Sequence, residues 1–385
     1  MTVTGSGYDP LASVGAPGPA RPEPRIRLAS PITGPEELEA IAEVLASGIL
    51  TNGPWTRRFE AAMAERHGTE HAVAFANGTV ALAGMYLAAG LGPGDEVIVP
   101  SLTFISTATS VLHVGATPVF ADIEADTLNL DVEDVARRIT PRTKAIVPVH
   151  YAGQPVDLAA FRTLADENGL LLLEDAAQAH GATCQGRPAG AWGEAAMFSF
   201  TPTKNVTTGE GAVVTTTSED LAHAMRLLRN HGMSAPYVHD VLGYNWRLSE
   251  LQSAMGVVQL DRLDAILATK RANAASMTAL LAEVPGVSPL AVRPDRGHPF
   301  MIYSVLVHDA DRRDHAMGVL AEAGIESRVY FPPAHRQPVF AGLPDPKLPV
   351  TDHAARRIIS LPFHAKLTDQ DRSDIVSTLA GAVDR

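Results

Sequence analysis

The chain has 385 residues, 46% hydrophobic and 19% charged, which is typical of a globular protein with a full core. At roughly 150 residues per domain, this length predicts two or three domains. The formal charge of −12 argues against nucleic acid or an anionic membrane as the main partner. Cys184 is the single cysteine, which excludes an internal disulfide and a cysteine-based zinc cluster, and no metal is expected. No apolar run is long enough to cross a bilayer and the N-terminal segment does not resemble a secretory signal, so a cytoplasmic enzyme is expected.

The first half of the chain predicts an α/β fold. Residues 1–24 are rich in Gly, Pro, Ser and Ala, which predicts a flexible tail, and a helix is expected from Pro35 to the turn at Gly48. Short apolar runs then predict strands at residues 72–76, 97–100, 118–123, 145–150 and 170–174. Helical patterns lie between them, at residues 80–90, 105–113, 132–139 and 158–167. Strands that are apolar on both faces and alternate with helices predict a mainly parallel sheet covered on both sides.

The second half predicts two more strands and then a smaller α+β domain. The strands are residues 196–200 and 212–216, and a long helical pattern covers residues 248–281. A strand at 303–308, a helix at 312–323 and a terminal helix after Thr368 follow. We therefore predict a large domain at residues 25–265 and a small domain at 266–385. Ligands of such sheets bind at the carboxyl ends of the strands, so the loops there are the candidate sites.

The first of these loops contains Asn77, Gly78 and Thr79, directly before a helix. Glycine lets the backbone approach a ligand, and a helix N-terminus offers N–H groups to a phosphate. Thr79 could equally act as a helix cap. No glycine-rich dinucleotide motif and no P-loop is present in the sequence.

A second loop follows the apolar strand that ends in Glu174 and Asp175. Successive strand residues face opposite sides, so at most one of these acids points into a given pocket. A buried carboxylate there needs a partner, either a protonated heterocyclic nitrogen or an arginine.

A third loop runs from Ser199 to Asn205 and carries one lysine, Lys204, among small and hydroxyl residues. Desolvation would lower the pKa of this lysine and make it a nucleophile toward carbonyl groups. A loop lysine can also be a solvated surface charge, so the interpretation depends on the set of loops together.

Together these loops resemble the sugar aminotransferases that use pyridoxal phosphate, within the fold type I enzymes. The resemblance runs from about Leu28 to the C-terminus. It rests on six segments in the same order: 48–54 (GILTNGP), 77–79 (NGT), 100–104 (PSLTF), 174–181 (EDAAQAHG), 199–205 (SFTPTKN) and 243–247 (GYNWR). It implies a three-layer sandwich, with the larger domain binding the cofactor.

The resemblance also implies roles for individual residues. Lys204 matches the lysine that forms a Schiff base with the cofactor and later moves a proton, and Asp175 matches the acid that keeps the pyridine nitrogen protonated. By the same resemblance, Phe104 stacks on one face of the cofactor ring and Gln178 lies near the phenolic oxygen of that ring. The phosphate is held by Gly78, Thr79 and Ser199, and by Asn245 of the neighbouring subunit. The last of these implies a homodimer with shared active sites. The family often has Ser in place of Asn77 and a polar residue such as His in place of Thr201.

The function implied is transfer of an amino group from L-glutamate, or glutamine, to a nucleotide-linked keto sugar, with pyridoxamine phosphate as the intermediate form of the cofactor. C4 of a dTDP-4-keto-6-deoxyhexose is the expected acceptor. An acidic protein needs local positive charge for the pyrophosphate, and the candidates are His335, Arg247, Arg328 and Arg336. His335 could also be an ordinary, partly buried histidine. Amination at C3, a keto-inositol (scyllo-inosose) substrate, and a non-catalytic sugar-binding relative are the alternatives.

Overall fold

The computed structural model describes residues 23–384, so the predicted tail lies almost entirely outside the described residues. The helices are α1 Pro35–Ser47, α2 Pro54–His67, α3 Gly78–Ala88, α4 Ser106–His113, α5 Val132–Arg138, α6 Leu158–Asn168, α7 Glu219–Arg229, α8 Glu250–Leu281, α9 Ala310–Glu322, α10 Pro349–Ala355 and α11 Asp369–Val383. The longer strands are β1 His71–Phe75, β2 Glu96–Pro100, β3 Thr117–Ala121, β4 Thr143–Ile146, β5 Leu171–Asp175, β8 Ala195–Ser199, β9 Ala212–Thr216, β14 Tyr303–Val307 and β15 Ile358–Leu361. The short strands are β6 Thr183–Cys184, β7 Arg187–Pro188, β10 Met233–Ala235, β11 Val238–His239, β12 Val287–Pro289 and β13 Arg296–Gly297.

A seven-stranded sheet in the order β1-β9-β8-β5-β4-β2-β3 forms the centre of the fold. Strand β9 is antiparallel to both its neighbours and the other pairs are parallel, which confirms the mainly parallel sheet. Side chains alternate between two cores. Leu172 of β5 packs with Phe161 of α6 on one face, whereas Leu173 packs in the core that contains Leu82 of α3. The result is an α/β sandwich of three layers.

The C-terminal section contains a second sheet of three antiparallel strands in the order β12-β14-β15. Helices α9 and α11 and the C-terminal half of α8 share one apolar core with it. Helix α8 is 32 residues long and runs through the predicted boundary at residues 265 and 266. The division into two domains at that point stays a prediction.

The predicted strands and helices of the sheet region are present, with ends shifted by a few residues. The strand predicted at 145–150 ends earlier, at Ile146, because Pro148 has no N–H to donate to the ladder. Helices α2 and α7 and strand β15 were not predicted. Within residues 23–384, no helix is both long and apolar enough to cross a bilayer, α8 included.

Candidate active site

A cavity of about 720 Å³ lies where the carboxyl ends of β1, β5 and β8 meet. The parallel direction of these strands brings their three following loops to one edge of the sheet. Of the eight residues that the resemblance linked to the cofactor, the cavity is lined by seven: Gly78, Thr79, Phe104, Asp175, Gln178, Ser199 and Lys204. Segments far apart in the sequence therefore meet as predicted, and the eighth residue, Asn245, lies elsewhere.

Asp175 ends β5 and is the acid that enters this cavity. Its carboxylate accepts a hydrogen bond from the hydroxyl of Thr107 at 2.7 Å and another from the N–H of Ala177 at 3.2 Å. Burial raises the pKa of Asp175 above its usual value, against these two hydrogen bonds and the charge of Lys204. A carboxylate that is short of partners and faces a cavity is suited to a protonated ring nitrogen.

Glu174 faces the other side of β5, as the alternation of strand residues predicts. It accepts hydrogen bonds from His150 at 2.9 Å and from the N–H groups of Gly190, Trp192 and Gly193 at 2.8 to 3.1 Å. Burial alone would raise the pKa of Glu174, yet the bonds from His150, Gly190 and Gly193 bring it below its usual value. Glu174 is therefore a satisfied structural carboxylate.

Lys204 lies in the cavity wall, and its side-chain amine makes no hydrogen bond or ion pair with any other residue between 23 and 384. Burial lowers the pKa of its amine from 10.5 to about 8, although the charge of Asp175 acts in the opposite direction. An amine with this pKa is partly unprotonated near neutral pH and can attack a carbonyl group. The structure thus favours the nucleophile over the solvated surface charge.

The N-terminus of α3 forms another side of the cavity. Asn77 is the N-cap and accepts the N–H of Val80 at 3.2 Å, whereas the N–H groups of Gly78 and Thr79 have no acceptor among the described residues. The Thr79 hydroxyl pairs with that of Ser106 at 2.7 Å. Free N–H groups at a helix N-terminus suit a phosphate dianion.

Two further predicted residues line the cavity between these sides. The side-chain oxygen of Gln178 accepts the N–H of Ala152 at 2.8 Å, which fixes the amide at the wall. Phe104 is 57% exposed, and its ring centroid lies 6.1 Å from that of Phe331 in an edge-on arrangement. Phe104 therefore offers a ring face to a ligand in the cavity.

Five other predicted residues do not line this cavity, namely Asn245, Arg247, Arg328, His335 and Arg336. Asn245 is exposed and bridges to Asn230, and Arg247 donates to the Asn230 side chain at 2.7 Å. Arg328 is exposed and pairs with Glu326 at 2.9 Å.

The fourth, His335, has a buried side chain. Its Nδ1 lies 2.6 Å from the Ser101 hydroxyl, and its Nε2 lies 3.5 Å from Asp352. The histidine is therefore held by neighbouring side chains. Arg336, also named as a candidate, lines a separate surface groove and pairs with Asp352 at 2.6 Å.

Sequence reasoning missed several residues of the cavity. Thr107 was not predicted, although Thr103 and Thr107 are polar, four residues apart and close to a predicted helix start, which was a usable signal. Met301, Tyr330 and Phe331 come from the C-terminal section. No local pattern marks these three, because only the tertiary fold brings them to the sheet edge.

Pyridoxal phosphate presents an aldehyde, a basic ring nitrogen and a phosphate, and the cavity has a suitable group for each. Lys204 offers an amine of lowered pKa, Asp175 a buried carboxylate, and α3 a set of N–H groups without acceptors among the described residues. The donor set fits the cofactor. Fold and cavity together define a pyridoxal-phosphate-dependent enzyme of fold type I.

The chain belongs to the DegT/DnrJ/EryC1/StrS aminotransferase family, whose sequence profile matches residues 31–380. A relative named GDP-perosamine synthase, from Caulobacter vibrioides, is 40% identical over 362 residues, or 92% of this chain and 98% of the relative. The structure of S. venezuelae DesV with a ketimine intermediate matches with a TM-score of 0.88 and 39% identity, over 91% of this chain and 95% of DesV. DesI, solved in the presence of its TDP-sugar product, matches with a TM-score of 0.89 and 37% identity, over 96% of this chain and 95% of DesI. The predicted fold type, enzyme class and cofactor are confirmed.

Proposed function

We propose that this sugar aminotransferase moves an amino group from L-glutamate to C4 of a dTDP-4-keto-6-deoxyhexose. The observation that carries the proposal is the meeting of Lys204, Asp175 and the N-terminus of α3 around one cavity. The names of two relatives support a nucleotide-linked sugar, one being a GDP-perosamine synthase and the other DesI, solved in the presence of its TDP-sugar product. The choice of C4 rests on the resemblance of residues 243–247 and 333–337 to C4-acting enzymes.

In the proposed reaction Lys204 and Asp175 each act on a proton. When bound, pyridoxal phosphate supplies an electron sink for the carbon that gains or loses the amine. Lys204, with a pKa of about 8, takes a proton from the donor's α-carbon and returns one to the acceptor carbon. Asp175 holds the proton on the ring nitrogen, with the Thr107 hydroxyl stabilising its ionised form.

The remaining cavity residues bind and orient in this proposal. Gly78, Thr79 and Ser199 hold the phosphate, which is favoured by the end of α3 and by the position of Ser199 at the end of β8. Phe104 stacks on one ring face, and Gln178 lies beside the ring. Binding through several fixed groups converts proton transfer into a step between aligned partners.

We place the nucleotide outside the cavity, since no arginine of the described residues lines it. A groove of about 690 Å³ begins at Pro332, the residue after Phe331, and is lined by Arg313, Arg336 and Arg356. These guanidinium groups suit the two phosphates of the substrate. His335 then acts indirectly, through its neighbour Asp352.

We further propose a homodimer with shared sites, in which Asn245 reaches the phosphate of the partner's cofactor. Asn245 lies outside its own cavity, near an exposed apolar surface that contains Tyr237 (92% exposed) and Leu242 (81% exposed). Residues of β10 line one largely polar groove together with Asn52 and Gly53, which follow the half-exposed Ile49 and Leu50 in the sequence. An apolar surface of this kind supports an interface with a second copy. We also propose a cytoplasmic location, because a chain with a single cysteine suits a reducing compartment.

A substrate panel tests the reaction. The purified enzyme is given L-glutamate and, side by side, a dTDP-4-keto sugar, its 3-keto isomer and free scyllo-inosose, with the products identified by NMR. We expect amination of the 4-keto sugar, with weaker binding at higher salt because the phosphates meet arginines. Turnover confined to the 3-keto sugar or to the inosose would overturn the C4 assignment and leave the aminotransferase.

Mixing two inactive variants tests the shared sites. Lys204→Ala and Asn245→Asp should each be inactive alone, because one lacks the amine and the other places a carboxylate against the phosphate. In a hybrid dimer one site carries both changes and the other carries neither, so part of the activity should return. No recovery after subunit exchange, verified by native mass spectrometry, would place Asn245 outside the partner's site.

A further inference from the structure

Helix α8 carries a buried lysine that has no acidic partner among residues 23–384. Lys270 is 4% exposed, and its amine donates hydrogen bonds to the Asn205 side chain at 2.7 Å and to the Met301 carbonyl at 3.3 Å. The amine also lies 5.2 Å from the centre of the Phe363 ring. Burying an ammonium group is costly unless its surroundings compensate, so a carboxylate-free site of this kind calls for an explanation.

The two hydrogen bonds of Lys270 reach two different segments that form the cavity. Asn205 is the residue after Lys204, and its amide group also donates to the Pro299 carbonyl at 3.2 Å. Met301 lines the cavity, and its N–H donates to the Ala152 carbonyl at 2.9 Å.

Ala152 in turn donates its N–H to the Gln178 side chain at 2.8 Å. One amine therefore joins the loop that carries Lys204 to the wall that contains Met301 and Gln178. Phe363, from the C-terminal section, covers the amine from a further side.

We propose that Lys270 is a positioning residue for Lys204, holding the Lys204–Asn205 loop at a fixed separation from the wall formed by Met301 and Gln178. The inference rests on the proposed attachment of the cofactor to Lys204. Lys270 itself does not line the cavity, so we assign it no contact with the cofactor or the substrate. Its effect is on the geometry in which the Lys204 amine meets the cofactor's aldehyde.

The electrostatic surroundings of Lys270 disfavour its charged form. Burial lowers the pKa of Lys270 from 10.5 to about 7. The titratable side chains near it are basic, with His298 and His364 both held at lowered pKa values by burial, and Lys270 itself contributing to each shift. Two oxygen acceptors and one aromatic ring hold the amine in place. Removing the amine therefore breaks the connection between Asn205 and Met301.

Two ligands distinguish non-covalent binding of the cofactor (anchoring) from its covalent bond to Lys204 (attachment). Pyridoxine phosphate has the ring and the phosphate but no aldehyde, so it reports anchoring alone, whereas pyridoxal phosphate also attaches covalently. Attachment is followed in the apoprotein by borohydride trapping and peptide mapping. In Lys270→Met, which keeps the length of the side chain without its amine, we expect attachment at Lys204 to slow at least about tenfold, with binding of pyridoxine phosphate changed by less than about twofold. Lys270→Arg retains donors and charge and should recover part of the rate.

A second variant and a matched control keep the test decisive. Asn205→Ala breaks the same link from the other end, so the double variant should be no slower than the slower of the two single variants. Asn273→Ala removes a buried polar group from the same helix, where it contacts Arg372 and His364, and should leave attachment unchanged.

Three results would overturn the positioning role. They are an unchanged attachment rate in folded Lys270→Met, additive effects of the two substitutions, and equal slowing in Asn273→Ala. Labelling of the wild-type chain at a lysine other than Lys204 would overturn the role of Lys204, and this inference with it.

Discussion

Replacing Thr107 by Val tests how the protein controls the charge of Asp175. The two side chains have similar shapes, but Val lacks the hydroxyl that lies 2.7 Å from the Asp175 carboxylate. A hydrogen bond to a charged group contributes about 1.5–3 kcal/mol, and one to a neutral group about 0.5–1.5 kcal/mol. At 1.36 kcal/mol per pKa unit, the substitution should raise the pKa of Asp175 by about one unit.

The sign of the stability effect follows from the direction of the pKa shift. Folding raises the pKa of Asp175, so the folded apoprotein binds this proton more tightly than the unfolded chain does. Asp175 therefore makes the apoprotein less stable as the pH rises from its ordinary pKa through its raised one. Thr107→Val raises the folded pKa further, so its loss of stability relative to the wild type should grow with pH between the raised pKa of the wild type and the still higher pKa of the variant.

Urea unfolding of the apoprotein at several pH values measures this difference. We expect Thr107→Val to lose about 0.5–1.5 kcal/mol at pH values where Asp175 is protonated in both folded proteins, and about 1.5–3 kcal/mol above the pKa of Asp175 in the variant. Thr215→Val is the control, because that buried threonine bonds weakly to a carbonyl at 3.5 Å and lies apart from the cavity. A loss that is equal at all pH values, or no greater than in the control, would refute the role of Thr107.

The other predictions concern Lys204 and Asp175. Lys204→Ala should bind pyridoxal phosphate weakly, give no labelled peptide after borohydride reduction and lose several orders of magnitude in turnover. Near-normal turnover without added amine would remove Lys204 from the mechanism. In the wild-type apoprotein the attachment rate should rise with pH through about 8 and then level off, since the unprotonated amine reacts; a pH-independent rate would contradict the lowered pKa of Lys204. Asp175→Asn should still attach the cofactor but slow proton transfer by at least about a hundredfold, as measured by loss of deuterium from the donor's α-carbon. Exchange at the wild-type rate would show that the charge of Asp175 is not needed.

Much of the site could be predicted because parallel strands place their following loops together. The positions of Gly78, Asp175 and Lys204 follow from local signals, namely where an apolar strand ends and which residue comes next. The alternation within β5 allowed only one of Glu174 and Asp175 to enter the pocket, and the resemblance selected Asp175. The structure places Asp175 in the cavity and Glu174 on the other side of the strand.

Helix α2 shows why other parts were missed. Its N-cap, Gly53, has no side chain to signal a helix start. The N–H groups of Gly53, Trp55 and Thr56 instead donate to Glu250, almost 200 residues away, at 2.8 to 3.0 Å. A cap supplied by a distant carboxylate leaves no pattern in the local sequence, although Pro54 at the first helical position and Gly68 just past the end were available signals. Helix α7, by contrast, has the cap Ser218 with two acids behind it, a signal that was available.

The buried charges of this protein differ in how completely they are satisfied, and that difference separates structural from reactive groups. Glu174 and Glu250 each accept three backbone N–H groups and a side-chain donor, so they fix loops and helix ends. Asp175 has only two such donors, and Lys204 has no partner among the described residues; both line the same cavity. A folded chain leaves a buried charge short of partners only at a cost, and here the shortage occurs where the cofactor's own groups can supply what is missing.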